Sequence, residues 1–278
     1  MEFALTTVLG LIIGALICEF IDSSLGMMYG TILSPVLIIA GFNPLLVVPS
    51  ILFSQALGGF IAAIFHHRLK NVDFILKSKD STNIKERLSQ LGYREKFNRG
   101  LTKDLKVTFC IAGLGIIATI LAALIAVNVP KVVLKTYIGT LVLVMGIILL
   151  SKTNFKFSWK KIIGIGALSA FNKGISGGGF GPIVTSGQMI SGRDGKSSIG
   201  STALAETPVC IVGFLTYFFT KGISDWRFLL LLTIGSIIGA VIGPHFTAKI
   251  RSEKKLKKGL GILVITLGVW ILTTAWLI

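Results

Sequence analysis

The chain has 278 residues, 53% hydrophobic and 14% charged, with a mean hydropathy of +0.82 and a formal net charge of +16. A soluble domain carries about 25% charged residues, so this composition excludes an ordinary soluble enzyme and specifies a polytopic membrane protein. The Lys and Arg residues lie almost entirely in short connections between apolar segments, which makes the charge a topology signal and argues against nucleic acid as a partner.

The N-terminus, MEFALTTVLG, has an acid where a secretory signal needs a basic stretch, so the first helix is expected to be retained. Apolar segments follow at 3–21, 25–40, 44–66, 107–128, 132–151, 162–172, 179–191, 197–220, 227–248 and 259–277. Open strands cannot span lipid and no ten-residue alternating pattern occurs, so the segments are predicted to be helices. The sizeable polar insert, 67–106, places Ile84, Leu88 and Leu91 at helical spacing. It is either a short amphipathic helix at the membrane surface or a solvated basic linker. Cys18, Cys110 and Cys210 fall inside apolar segments with no CxxC or Cys/His pattern, which favours packing as small hydrophobes over a redox or metal role.

An internal repeat organises the chain. A shift of 151 residues superposes Phe20 on Phe171, Gly26 on Gly177, Gly30 on Gly181 and Gly41 on Gly192. It also sets Asp22 opposite Lys173 and Gln55 opposite Glu206. Beyond the insert a shift of 122 pairs Leu134, Lys135, Gly139 and Gly146 with Leu256, Lys257, Gly261 and Gly268. The predicted fold is therefore all-α, with repeats at 1–151 (including the insert) and 152–278. Each repeat is a broken segment followed by three transmembrane helices. Placing 67–106, 152–161, 192–196 and 249–258 in the cytoplasm puts 23 of the 28 basic residues there. That requires each broken segment, 3–40 and 162–191, to enter and leave on one side. The repeats are then inverted, both termini lie outside, and the protein sits in the cell membrane.

The breaks carry the candidate site. GISGGGFGP, Gly174 to Pro182, removes side chains at Gly177, Gly178 and Gly179 and has Lys173 on its shoulder. Irregular backbone at membrane depth survives where it is buried in protein or lines a polar cavity, and an intramembrane charge marks function by default. Phe180, Gly181 and Pro182 would open a half-helix whose amides suit an anion. SSLGMMYGTILSP, Ser23 to Pro35, repeats the pattern more weakly through Ser24, Gly26 and Gly30. The competing reading is that these glycines only permit close helix packing, as Gly235, Gly239 and Gly243 are expected to do.

Lys173 is either a point charge for an anionic substrate or a salt bridge to Asp22 or Glu206. Glu206, two residues before Pro208, either carries a coupling proton or neutralises Lys173. Asp22 is the counter-charge in the first half, and Glu19 lies within a turn of it. Gln55, Ser54, Ser201, Thr202 and Thr207 either bond substrate oxygens or bridge helices. Two motifs mislead. Gly195-Lys196-Ser197 resembles the end of a phosphate loop, but Ile190 stands where its first Gly belongs. Gly174-Ile175-Ser176-Gly177 reads as a rhomboid-type nucleophile pattern with His245 as a base, a reading that leaves the repeat unexplained.

At these residues the chain resembles the sulfite exporter TauE/SafE family of membrane transporters. GISGGGFGP with Gly192 and the Ser/Thr-rich helix carries the likeness, as does LGMMYGTILSP with Gly41. Met27 and Met28 depart from the expected glycine run. The resemblance implies secondary transport of small anions such as sulfite, sulfonates or other organosulfur or organic anions. Expected partners are that anion, a coupled proton or cation and the bilayer; no cofactor or metal is expected. The alternatives are an uncoupled anion channel and an intramembrane serine protease.

Overall fold

The computed structural model describes residues 4–27, 29–74, 102–125, 131–151, 158–223 and 225–277, and these contain ten helices. The first five are α1 (Leu5–Leu25), α2 (Tyr29–Ile39), α3 (Pro44–Arg68), α4 (Lys103–Ile125) and α5 (Lys131–Leu150). The second five are α6 (Trp159–Ser176), α7 (Phe180–Ile190), α8 (Gly195–Lys221), α9 (Trp226–Lys249) and α10 (Glu253–Leu277). The predicted surface helix around Ile84 and Leu91 lies outside the described residues.

Where helices stop is set by which residue can turn left-handed. α1 runs through Asp22, Ser23 and Ser24, which the sequence placed in the break, and ends only at Gly26, with φ +78°. α6 likewise carries Lys173 in its last turn and ends at Gly177, with φ +72°. The Gly26 and Gly177 amides donate back to the Asp22 and Lys173 carbonyls, at 2.6 and 2.8 Å. The next ends repeat too. The Gly41 and Phe42 amides bond the Ile38 and Leu37 carbonyls, as the Gly192 and Arg193 amides bond those of Met189 and Gln188. The following helices are capped by Asn43, accepting from the Leu45 amide, and Asp194, accepting from the Ser197 amide. Apart from the two capped amides, Leu45 and Ser197, every one of these pairs is 151 residues apart.

Outward faces are greasy. Leu5, Leu9, Ile13 and Ile17 line one side of α1, and Leu230, Ile234, Ile238, Ile242 and Phe246 line one side of α9. The interior instead buries many Ser, Thr, Asn and Gln side chains. That distribution suits a lipid surround, in which small and polar residues join helices. Among the described residues, α1, α3, α8, α9 and the Lys103–Ala122 stretch of α4 are long and apolar enough to cross a membrane.

Contacts between glycines and their neighbours give the helix directions. Gly235 faces Ile12 and Ala15, Gly239 faces Leu16 and Glu19, and Gly243 faces Phe20 and Ser23, so α1 and α9 are parallel. α3 runs with α9 as well, from the Phe42–Phe228 ring contact to the Asn71 bond with the Pro244 carbonyl. α1 and α3 therefore point the same way, and the chain between them doubles back through α2. Across the two halves Gly166 faces Ile111 and Gly174 faces Thr119, which makes α6 and α4 parallel. By contrast α3 and α8 are antiparallel, with Gly200 by His66 and Gly213 by Leu52. So are α5 and α10, with Gly139 by Leu272 and Gly268 by Leu143. Exchanging the sequence halves maps the pair α1–α9 onto α6–α4 and α3–α9 onto α8–α4. It returns α3–α8 and α5–α10 to themselves.

Candidate functional site

The two breaks meet backbone to backbone. A Cβ on Gly178 would stand 2.7 Å from the Gly30 carbonyl oxygen, and one on Gly181 would stand 2.6 Å from that of Gly26. Thr31 accepts from the Gly179 amide at 3.1 Å, and Thr185 donates to the Gly26 carbonyl at 2.8 Å. Ser34 donates to the Ser176 carbonyl at 3.1 Å. Each broken segment thus satisfies part of the other's open backbone, as chain buried in a membrane protein must.

Beside this junction lie Asp22, Gln55, Lys173 and Glu206, the four residues that the 151-residue shift paired. Gln55 is the twelfth residue of α3 and Glu206 the twelfth of α8, near the middle of both. Lys173 Nζ lies 2.7 Å from Glu206 Oε1 and also donates to Gln55 Oε1. Gln55 Nε2 donates to Asp22 Oδ2 at 3.0 Å, and the Tyr29 amide donates to Asp22 Oδ1 at 3.2 Å. Lys173, Gln55 and Glu206 are 1%, 1% and 2% exposed, whereas Asp22 is half-buried. Of the two salt-bridge partners considered for Lys173, Glu206 is the one in contact. A chain of four polar groups runs Glu206–Lys173–Gln55–Asp22, with Gln55 oriented by an ammonium on one end and a carboxylate on the other.

The other predicted site residues are placed as follows. The Gly177 amide bonds the Lys173 carbonyl and the Gly178 amide bonds Ser176 Oγ, so with Gly179 on Thr31 all three glycine amides have protein acceptors. The first amides of a helix have no intrahelical acceptor, and in α7 that leaves those of Phe180 and Gly181, Pro182 having none. The Phe180 ring turns away into an apolar cluster with Val107, Ile111, Ile162 and Val209. Thr202 accepts from Gln188 Nε2 and donates to the Ser198 carbonyl, with Thr185 Oγ1 3.0 Å away, bridging α7 and α8. Ser24 bonds its own helix at the Ile21 carbonyl, and Thr207 does the same at Ala203. Ser54 pairs with the Tyr29 hydroxyl at 2.7 Å, and Ser201 accepts from Arg193.

Sequence reasoning missed Tyr29, Thr31, Ser34 and Thr185, which tie the breaks together. All four lie within eight residues of the glycine that ends the preceding helix, Gly26 or Gly177, which was the available signal. It also missed Arg193, which is buried between Asp104, Gln188 and Ser201 at the far ends of α4, α7 and α8. Burial pulls the Arg193 guanidinium below its ordinary value, and the Asp104 carboxylate beside it pulls it back up. The misleading motifs resolve simply. Lys196 donates to the Ala248 carbonyl. Ser176 donates to the Asn172 carbonyl, while exposed His245 bonds the Val241 carbonyl beside the Phe65 ring.

In comparison with known proteins, residues 91–271 match the family described as Sulfite exporter TauE/SafE. The chain is also similar to the Bacillus subtilis (strain 168) protein named "Probable membrane transporter protein YtnM". The two are 24% identical over 254 residues, which covers 86% of this chain and 74% of that protein. No solved structure matches the chain.

Proposed function

Because the chain belongs to the sulfite exporter TauE/SafE family, we propose that it is a secondary transporter of small anions working by alternating access between inverted halves. The observation that carries this reading is the buried chain Glu206–Lys173–Gln55–Asp22 beside two interlocked helix breaks. A lysine held at the middle of a helix bundle is costly unless paired, and here the pair is an exchangeable one. Glu206 occupies the ammonium as a sulfite, sulfonate or carboxylate oxygen would. A substrate anion displaces Glu206 from Lys173 and takes further hydrogen bonds from Gln55 and the open amides at the start of α7. Coupling then falls to the carboxylates that the anion displaces or approaches. The antiparallel α3–α8 and α5–α10 pairs support inversion, since repeat-related helices that oppose one another are what an in-plane two-fold axis produces.

The test is flux into proteoliposomes with sulfite, sulfonates and carboxylates, with and without a pH gradient. The expected result is saturable uptake of at least one of these, accelerated by the same anion on the opposite side. Uptake without such counterflow means a channel, and transport of none of them removes the anion reading. The orientation has its own test in cysteine-substituted variants lacking the three native cysteines. Cysteines at Lys70 and Lys254 should react with a membrane-impermeant reagent only from the cytoplasm, and one at Lys221 only from outside. Opposite accessibility of Lys70 and Lys254 contradicts the inverted topology.

A further inference from the structure

Glu19 is a third carboxyl group in this region, and nothing above uses it. It sits on α1 one turn before Asp22, 1% exposed, wedged between α3 and α9. A Cβ on Gly58 of α3 would stand 3.0 Å from its Cδ, and one on Gly239 of α9 would stand 2.9 Å from its Cβ. No ammonium or guanidinium touches it; the buried Lys173 pairs with Glu206 instead, and the buried Arg193 with Asp104. Its Oε1 has no hydrogen-bond partner at all. Its Oε2 meets one group, the Ser236 hydroxyl, at 3.3 Å.

That hydroxyl has a single hydrogen. It stands closer, at 3.0 Å, to the Ser54 carbonyl oxygen, which can only accept. With the Ser236 hydrogen on Ser54, the contact with Glu19 is a hydrogen bond only if Glu19 is the donor. The other two carboxylates are built differently. Asp22 accepts from two N–H groups and Glu206 from an ammonium. Glu19 is the one whose surroundings fit the protonated acid, and an unpaired buried carboxylate would be far costlier.

Charge counting leads to the same residue. The groups facing Glu19 are Cys18 and Asp22 on α1, Tyr29 on α2, Lys173 on α6, and Glu206 and Cys210 on α8; α3 and α9 contribute Ser54 and Ser236. Three carboxylates against one ammonium leave a net charge of −2 when all are ionised. An incoming anion would raise that further in a site with little solvent. Protons entering with the anion remove the conflict.

We propose that Glu19 is the proton-binding residue of the transport cycle, taking up one proton from the side where the anion enters and releasing it on the other. This rests on the anion-carrier reading. Glu19→Gln reproduces the shape and hydrogen bonding of the protonated acid, so it should assemble as the wild type does. In proteoliposomes it should keep anion-for-anion exchange and lose accumulation driven by an inward proton gradient. Wild-type uptake should in addition carry protons, seen as external alkalinisation that the anion triggers. The infrared difference spectrum of wild type minus Glu19→Gln should hold the carbonyl stretch of a protonated carboxylic acid.

Proton-driven accumulation retained in Glu19→Gln, or a difference spectrum without that band, overturns the assignment of Glu19 while leaving the carrier intact. Wild-type protein that moves none of the anions overturns the carrier reading and the coupling with it. If Glu19→Gln does not assemble, the wild-type proton recording decides alone: anion uptake without proton movement overturns the proposal.

Discussion

Lys173→Ala should abolish anion flux and at the same time destabilise the protein by about 3–5 kcal/mol, the usual cost of stranding one partner of a buried ion pair. Glu206 and Gln55 both direct oxygens at the ammonium, and neither has another donor in contact with that oxygen. The two effects separate in a double variant. Lys173→Met combined with Glu206→Gln removes both charges and should recover most of the lost stability, as buried pairs replaced together often do. Transport should stay absent, because no cation remains for the substrate. Thermal unfolding in detergent reads the first quantity and proteoliposome flux the second. If the double variant transports, Lys173 is a structural lysine and the anion binds elsewhere.

The second large effect belongs to the interlocked breaks. A Cβ on Gly30 would fall onto the Gly177 carbonyl, and one on Gly181 would stand 2.9 Å from the Met27 Cα. The obstructing atoms are backbone, so a side-chain rotation offers no relief. Gly30→Ala and Gly181→Ala should each cost about 3 kcal/mol, the upper part of the range for overpacking, and should abolish flux by separating the two segments. Gly113→Ala and Gly164→Ala are the controls. Nothing lies within 4 Å of either added methyl, so both should gain about 0.5–1 kcal/mol from helix propensity. Equal effects in the two pairs would mean that the junction is loose.

Much of this arrangement could be read from the residues. The 151-residue shift singled out Asp22, Gln55, Lys173 and Glu206 as two matched pairs, and those four are the ones that touch. The breaks were legible because glycine runs in lipid-length apolar segments have few other uses. Which residue pairs with which was not legible: Lys173 was open between Asp22 and Glu206, and only packing of α6 against α8 decides it. Helix ends were misplaced by a few residues, since the apolar pattern stops at polar Asp22 while the helix continues to the first glycine that can turn left-handed. Glu19 looked ordinary, because nothing in a sequence reveals that a carboxyl lacks a donor. Arg193 and Asp104, 89 positions apart, meet through tertiary packing that no local pattern encodes.

The helix directions bear on how the protein is made. The parallel trio α1, α3 and α9 draws two members from the first half of the chain and one from the second, and α4, α6 and α8, where Thr108 meets Ser201 and Gly115 meets Val209, do the reverse. The first trio stays incomplete until α9, from the second half, has left the ribosome, and α4 waits for α6 and α8. α1 presents Leu16 and Phe20 backbone to Gly239, a partner synthesised more than 200 residues later, so until then that face must be covered by lipid or by an insertion factor. Assembly is therefore a late exchange of one helix in each direction. Fragments covering 1–151 and 152–278 should each be incomplete when expressed alone and should complement one another when expressed together.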